Sequence, residues 1–369
     1  MDDVKQEFLE HAILRQRLNS CDAIREFIHR YKRSENNEFM WNLVYDPVFK
    51  YLCVQNCAFQ ILNQMGCKHT KQLFNCSLNY RAKIIRSGNI AASPIVFNRQ
   101  NANDFLLPFV GYKGFSASDG EAVWKENLEV LKSGMPFIAI VDVYHVWYRN
   151  EYRKVHGSHA VIVVGFNARE EKVKVIDWYD PYYFQGDICL NEFILARNSN
   201  NPKCNNPFSG APISNEWIYI YPQKCEIKIE KCLLENIRNC LVYKMNDSSV
   251  TFGTESINNL IELIRQNAET EFYSSLYNEL FPLLRIYGLL CCNILDFSLE
   301  NSYISQYVEE FVNYKRDFER ILFCLLKTSF RSTEFARNIL CDELRAFLNS
   351  SLRVFSLLNV IYNLIQERI

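Results

Sequence analysis

Hydrophobic and polar residues alternate in two neighbouring segments near the middle of the chain, and this pattern predicts a β-hairpin. Ala160 to Phe166 is an apolar run rich in β-branched residues, and Lys172 to Asp177 alternates with the period of a strand. The segment between them is polar. Because an antiparallel hairpin brings the start of its first strand beside the end of its second, we expect His159 to lie next to Asp177 or Asp180.

A helical pattern lies upstream of this hairpin. The apolar residues at the helical spacing i, i+3, i+4 and i+7 are Ala58, Ile61, Leu62 and Met65. Asn56 is a good N-cap and Gly66 a natural C-terminal stop, which predicts a buried helix with Cys57 in its first turn. The positive end of a helix stabilises a thiolate, so Cys57 is the predicted nucleophile. Cys53 is the rival nucleophile but precedes the predicted helix, and the alternative role for Cys57 is a core cysteine.

The pattern changes along the chain and predicts three regions. Residues 1–45 look helical and amphipathic, 46–222 mix helices with strands, and 223–369 are dominated by amphipathic helices. In the middle region we also expect strands at Phe137 to Val143 and Trp217 to Tyr221. The chain is therefore expected to hold an α+β domain with an added all-α C-terminal region.

Composition and charge narrow the classes of partner. Hydrophobic residues make up 49% of the chain, enough for a core, and 41 basic against 42 acidic residues leave a net charge of -1. This balance argues against nucleic acid as a partner. The sequence has neither an apolar run of about 18 residues nor the apolar region of a signal peptide, so we expect no membrane partner and a cytoplasmic location.

The 14 cysteines are expected to be reduced thiols in that compartment. The spacing of Cys53, Cys57, Cys67 and His69 suits zinc poorly, so no metal is predicted.

Cysteine, histidine and aspartate occur in this order at a helix start, a strand start and a strand end. Cys57, His159 and Asp177 would supply a nucleophile, a base and an acid that orients the base. Asp180 precedes Pro181 and suits a turn better, but it remains the alternative acid. This order and placement are those of papain-like and transglutaminase-like cysteine enzymes.

The segment from Ser133 to Pro181 resembles the N-terminal domain of butirosin-biosynthesis acyltransferases, a group similar to the C39 cysteine peptidases of papain-like fold. The positions that carry the resemblance are Gly134, Pro136, Val141-Asp142, Tyr144 to Tyr148, His156, His159, Val161 to Val164, Gly165-Phe166 and Asp177. Upstream, NCAFQILNQMG is similar to the family's cysteine-bearing helix. The resemblance spans roughly residues 45–222 by these motifs.

This resemblance implies a cysteine-dependent acyltransferase of secondary metabolism with a papain-like domain. Cys57 would accept an acyl group from a thioester and pass it to a small-molecule amine. The donor would be the phosphopantetheine arm of an acyl or peptidyl carrier protein, so the enzyme itself would hold no cofactor. The alternatives are a C39-like peptidase or amidase, and a non-catalytic binding or scaffold protein with the same fold.

The residues around the predicted nucleophile depart from the C39 pattern in one place. C39 peptidases carry a glutamine six residues before the cysteine to build the oxyanion hole, and Tyr51 stands there in this chain. Gln55, Asn56 or backbone N–H groups are the candidate replacements. A missing glutamine is less damaging for thioester chemistry, because the leaving group is better.

Two further expectations concern the surroundings of the site. His156, three residues before His159 in an extended segment, should face away from the cleft and anchor the aromatic loop 144–152, or else line the acceptor site. A carrier protein should dock on exposed basic residues. The best basic cluster in the catalytic half is Arg81, Lys83 and Arg86.

Overall fold

The structure is a computed structural model of the chain. The residues it describes are 53–67, 70–74, 81–84, 95–97, 110–116, 118–179, 182–204, 206, 208–222, 228–241 and 250–369. The predicted helical region 1–45, Tyr51, Asp180 and the side chains of the predicted basic cluster lie outside the described residues.

The described chain divides into two compact units. One unit takes the described residues of Met1–Leu73 and Pro108–Ile227, and the other takes those of Phe74–Leu107 and Lys228–Ile369. The predicted region 46–222 differs from the first unit, because its described residues 74, 81–84 and 95–97 belong with the helical C-terminal part.

Helices and strands are numbered here in chain order. The α-helices are α1 Cys53–Gln64, α2 Gly120–Lys132, α3 Leu190–Arg197, α4 Ile229–Leu241, α5 Gly253–Gln266, α6 Thr270–Glu300, α7 Ser302–Ser305, α8 Val308–Phe330 and α9 Glu334–Gln366. The strands are β1 Arg81–Ile84, β2 Ile95–Phe97, β3 Val110–Phe115, β4 Phe137–Asp142, β5 Ser158–Asn167, β6 Lys172–Tyr179, β7 Tyr182–Cys189, β8 Trp217–Pro222 and β9 Val250–Phe252. Short 3-10 helices cover Thr70–Leu73 and Val143–His145.

The first unit is built on a six-stranded antiparallel sheet with the order β3-β8-β4-β5-β6-β7. The predicted hairpin forms its β5–β6 pair, in which Ile162 lies opposite Ile176 and the register shifts between Val163 and Gly165. Helices accompany this sheet, which confirms the α+β class. The hairpin thus brings the start of β5 beside the end of β6.

The centre of this sheet is the core of the unit. Every residue of β4 is buried, and α1, α2 and α3 all contact β4. Trp124 of α2 packs edge-on against Phe166 of β5 and Phe193 of α3. Because helices cover these central strands, their sequences read as continuous apolar runs rather than as an alternation.

The helix that carries the cysteines begins earlier than the sequence predicts. It starts at Cys53, so Cys53 lies in the first turn and Cys57 one turn later, and the predicted start at Cys57 is wrong. Asn56 is not an N-cap: it lies inside the helix, is buried, and donates a side-chain hydrogen bond to the backbone carbonyl of Trp178. The predicted stop is confirmed, because the helix ends at Gln64 and Gly66 adopts a left-handed φ of 77°.

The second unit contains a three-stranded antiparallel sheet, β2-β1-β9, and the six helices α4 to α9. Its consecutive helices α8 and α9 are joined by an ion pair between Glu310 and Arg353. Tyr314 of α8 stacks on Phe347 of α9 with ring centroids 5.0 Å apart. No helix in the described part of the chain is long and apolar enough to cross a membrane.

Candidate active site

His159 and Asp177 meet at the end of the β5–β6 hairpin. The His159 ring nitrogen Nε2 lies 2.9 Å from Oδ1 of Asp177, and both side chains are buried. The pairing of the two strands accounts for this placement, because His159 is the second residue of β5 and Asp177 lies near the end of β6. Since Nε2 faces the carboxylate, we assign Nδ1 as the nitrogen that faces a nucleophile.

The other oxygen of Asp177 is also held. The Tyr148 hydroxyl donates to Oδ2 at 3.0 Å, and the Arg149 guanidinium donates to the same oxygen at 3.3 Å. Arg149 is itself buried, and its second nitrogen lies 3.5 Å from a carboxylate oxygen of Glu151. The carboxylate therefore has a defined partner on each oxygen.

Cys53 is the cysteine whose thiol interacts electrostatically with His159. Burial opposes ionisation of its half-buried thiol, but the hydrogen bond and the positive charge of His159 outweigh it and lower the pKa of Cys53. Backbone hydrogen bonds at Ala160 and Val54 act in the same direction. The first turn of α1 adds the positive end of the helix dipole.

The pKa of His159 is shifted in the opposite direction to that of Cys53. Burial lowers the pKa of His159, but the carboxylate of Asp177 and the thiol of Cys53 more than offset burial and raise this pKa to about 9. A thiol with a lowered pKa beside an imidazole with a raised pKa favours the thiolate–imidazolium pair near neutral pH. That pair is the reactive state of a nucleophilic cysteine.

Cys57 occupies a different environment. Its Sγ donates to the backbone carbonyl of Ala160 at 3.5 Å, and the side chain is 4% exposed. Burial and the negative charges of Cys53 and Asp177 raise the pKa of Cys57 well above its ordinary value. The predicted nucleophile Cys57 is thus a buried thiol with a raised pKa, whereas the thiol that interacts with His159 is that of Cys53.

Gln55 and Asn56 are both buried within α1. The amide of Asn56 is engaged by the carbonyl of Trp178 and so ties the cysteine helix to β6. This contact gives Asn56 a structural role and leaves its donor turned towards a backbone oxygen.

His156 belongs to a second histidine–aspartate pair outside this site. Its Nδ1 lies 2.7 Å from Oδ2 of Asp142, and its ring stacks on Tyr144 at 4.1 Å. The fully buried Asp142 also accepts hydrogen bonds from the Ser199 hydroxyl and from the backbone N–H groups of Gly157 and Tyr144. The contacts of His156 therefore match the expected anchor of the aromatic loop.

Within the described ranges, no group of three or more His, Cys, Asp or Glu side chains is placed to hold a metal ion.

The sequence does not predict two residues of the site, Tyr148 and Arg149, which it presents only as members of an aromatic loop. It does offer Cys53, as the rival nucleophile. The feature of the sequence that points to Tyr148 and Arg149 is the position of the loop 144–152. Only a few residues separate the end of this loop from His159, so its side chains can reach Asp177.

The fold is that of an α+β protein, and the histidine and aspartate of its central hairpin are hydrogen-bonded to each other. Residues 91–178 match the family described as Butirosin biosynthesis protein H, N-terminal, which confirms the resemblance read from the sequence. The matched range includes His156, His159 and Asp177 and lies downstream of both Cys53 and Cys57. No curated protein matches the chain.

Proposed function

We propose that this protein is a cysteine-dependent acyltransferase with a papain-like catalytic arrangement, and that Cys53 is its nucleophile. The observation that carries the proposal is the contact of Cys53 with His159, which lowers the pKa of the thiol while Asp177 holds the ring. The family match over residues 91–178 supports a biosynthetic role, because the family is described by butirosin biosynthesis.

In the first step the Cys53 thiolate attacks the carbonyl carbon of an acyl thioester. The carbon–sulfur bond to the donor breaks, and the departing thiolate takes the proton of the His159 imidazolium. This leaves an acyl thioester on Cys53, a free donor thiol and a neutral imidazole. Asp177 stabilises the imidazolium before the transfer and keeps Nε2 engaged throughout.

In the second step an acceptor amine attacks the acyl-enzyme. The neutral His159 removes the proton of the attacking amine while the bond between Cys53 and the acyl carbon breaks. The products are an amide and the original thiolate–imidazolium pair. One proton thus moves from the histidine to the donor thiol and another from the amine to the histidine, so the cycle closes.

A thioester donor suits this site better than an amide donor. A thiol is a good leaving group and departs as the thiolate, whereas an amine must be protonated before it leaves. The oxyanion would be stabilised by backbone N–H groups of the first turn of α1, since the first N–H groups of a helix have no acceptor within it. A carrier protein with a phosphopantetheine arm is the thioester source that the family resemblance implies.

The test is a two-stage incubation with an acyl-loaded carrier protein. Intact-mass spectrometry should first show an adduct of the acyl mass on the protein, and addition of a small primary amine should then discharge it as an amide. A loaded carrier whose acyl group is joined by an amide instead of a thioester is the matched control and should give no adduct. Absence of any adduct with a panel of loaded carriers would contradict the proposal.

The same geometry would serve hydrolysis, so water is the competing acceptor. A hydrolase would release the free acid at the same rate whether or not an amine is present. The transferase should release amide at the expense of acid as the amine concentration rises. Discharge to acid alone across the amine series would assign the alternative function, a C39-like amidase or peptidase.

A further inference from the structure

We propose that Tyr148 and Arg149 are positioning residues that hold one oxygen of Asp177 so that the other oxygen orients His159. The inference rests on the proposed function, because it assigns both side chains a part in preparing the Cys53 nucleophile.

The first observation is that the two oxygens of Asp177 have different hydrogen-bond partners. Oδ2 accepts from the Tyr148 hydroxyl and from Arg149, while Oδ1 lies 2.9 Å from Nε2 of His159. Asp177 is 1% exposed, so solvent offers it little alternative hydrogen bonding. Rotation of the Asp177 carboxylate would break the contacts of both oxygens, so its orientation is fixed. The orientation of the His159 ring, which is bound to Oδ1, is fixed in turn.

The second observation is how Tyr148 reaches this oxygen. Phe184 of β7 is the cross-strand partner of Asp177, and the Tyr148 ring stacks on Phe184 with centroids 3.8 Å apart and planes 9° from parallel. Trp147 packs edge-on against the same phenylalanine. The register of β6 and β7 therefore places Phe184 beside Asp177, and the stacking of Tyr148 on Phe184 directs its hydroxyl towards the Asp177 carboxylate.

The third observation concerns the proton of this hydroxyl. Burial, together with the charge and the hydrogen bond of Asp177, raises the pKa of Tyr148 well above its ordinary value. Tyr148 therefore remains a hydrogen-bond donor over the whole range in which Cys53 reacts. A donor that never ionises in this range is suited to hold a carboxylate in one orientation.

Arg149 brings a positive charge to the Asp177 carboxylate, whereas Tyr148 brings a neutral hydrogen-bond donor. Its guanidinium is held between Asp177 and Glu151 and also lies 3.4 Å from Nε2 of His159. The hydrogen bond that Arg149 donates to Oδ2 holds the carboxylate in place, while its positive charge repels the imidazolium, a repulsion that Asp177 offsets. The two side chains thus act on the same oxygen by different means.

The experiment uses the full chain and compares Tyr148→Phe with Tyr144→Phe. Tyr148→Phe keeps the ring that stacks on Phe184 and removes only the hydroxyl. Tyr144→Phe removes a hydroxyl from the same loop, where the structure shows the ring stacked on His156. The readout is the rate of iodoacetamide alkylation of Cys53 across a pH series, resolved from the other cysteines by peptide mass spectrometry.

We expect Tyr148→Phe to move the lower limb of the alkylation profile to higher pH and to slow alkylation at neutral pH by about 10-fold, the lower end of what a hydrogen-bond partner of a metal ligand contributes to activity. Tyr144→Phe should keep the profile of the unmodified chain. A Tyr148→Phe profile that coincides with that of the unmodified chain would overturn the proposal, and so would an equal shift in both variants.

The alkylation profile needs no acyl substrate, so it separates this inference from the proposed function. If the unmodified chain shows a reactive Cys53 that Tyr148→Phe slows, yet no thioester acylates the protein, the positioning role stands and the acyltransferase proposal fails. If acylation occurs but the profile is insensitive to Tyr148, the proposed function stands and the positioning role fails.

Discussion

Cys53 and Cys57 lie one helical turn apart on the same helix, yet their thiols are shifted in opposite directions. Contact with His159 lowers the pKa of Cys53, whereas burial and nearby negative charge raise the pKa of Cys57 well above its ordinary value. The tertiary contacts of each sulfur produce this difference, and the helix dipole, which falls off beyond the first turn, adds to it at Cys53. The thiol of Cys53 therefore ionises more easily than the buried thiol of Cys57.

This difference predicts selective chemistry at one thiol. Sub-stoichiometric iodoacetamide at neutral pH should modify Cys53 far faster than Cys57, because the thiolate is the reacting species and Cys57 remains protonated and 4% exposed. Tandem mass spectrometry of the peptide that contains both residues checks the site of modification. Faster modification of Cys57 would show that the two environments are reversed.

The reactivity of Cys53 should depend on pH through His159. As the pH falls through the lowered pKa of Cys53, the thiolate gains a proton and alkylation slows. As the pH rises through about 9, His159 loses its proton and the thiolate loses its charged partner. Alkylation should therefore show a plateau between these two pKa values.

The matched variant for this profile is His159→Ala. Without the imidazolium the thiol should react as an ordinary buried thiol, with a rate that rises only towards alkaline pH and has no plateau at neutral pH. Stopped-flow or quenched alkylation from pH 4 to about pH 10 covers both limbs. A plateau that persists in His159→Ala would show that His159 does not control the reactivity of Cys53.

Asp177 should matter more than any other acidic residue of the hairpin. Replacing it by asparagine keeps the shape but removes the charge that stabilises the imidazolium, and in the serine-protease case such a change costs about four decades in rate. We expect Asp177→Asn to lower the acylation rate by 10³-fold to about 10⁴-fold. Single-turnover acylation kinetics measure this loss directly.

Two other aspartates provide controls. Asp187 is exposed on β7 of the same sheet, so Asp187→Asn should leave acylation unchanged. Asp180, the alternative acid from the sequence, should also tolerate the change to asparagine. A ranking in which Asp180→Asn is the more damaging would transfer the role of the acid to that residue.

The pair formed by His156 and Asp142 should contribute to stability and not to chemistry. His156→Ala removes a 2.7 Å hydrogen bond to a fully buried carboxylate, which predicts a loss of about 2 kcal/mol in the free energy of unfolding. Urea unfolding followed by tryptophan fluorescence measures it. The rate of Cys53 alkylation at neutral pH should stay within about twofold, a free-energy change of about 0.4 kcal/mol, and a larger loss would give His156 a part in the site.

Local pattern predicted the parts of the fold that are set by nearby residues. The alternation around residues 160–177 predicted the hairpin and the proximity of its two ends, because strand period and turn composition are local properties. The start of α1 was not predictable in this way. Asn56 has the composition of an N-cap, and only its contact with the carbonyl of Trp178 shows that it lies inside the helix.

Long-range pairing accounts for the other differences. Strand β1 pairs with β9, more than 160 residues further along the chain, so β1 and β2 join the C-terminal unit although their sequence gives no sign of it. The contact of Tyr148 with Asp177 likewise depends on how the loop after β4 folds back over β7. Neither relationship leaves a periodic signal in the sequence.

The most direct test of the central claim is the position of the acyl group after reaction with a loaded carrier protein. Cys53→Ala and Cys57→Ala are incubated beside the unmodified chain, and the adduct is located by tandem mass spectrometry of the peptide that holds both residues. The account predicts an acyl group on Cys53 in the unmodified chain and in Cys57→Ala, and none in Cys53→Ala. An acyl group on Cys57 that persists in Cys53→Ala would contradict it.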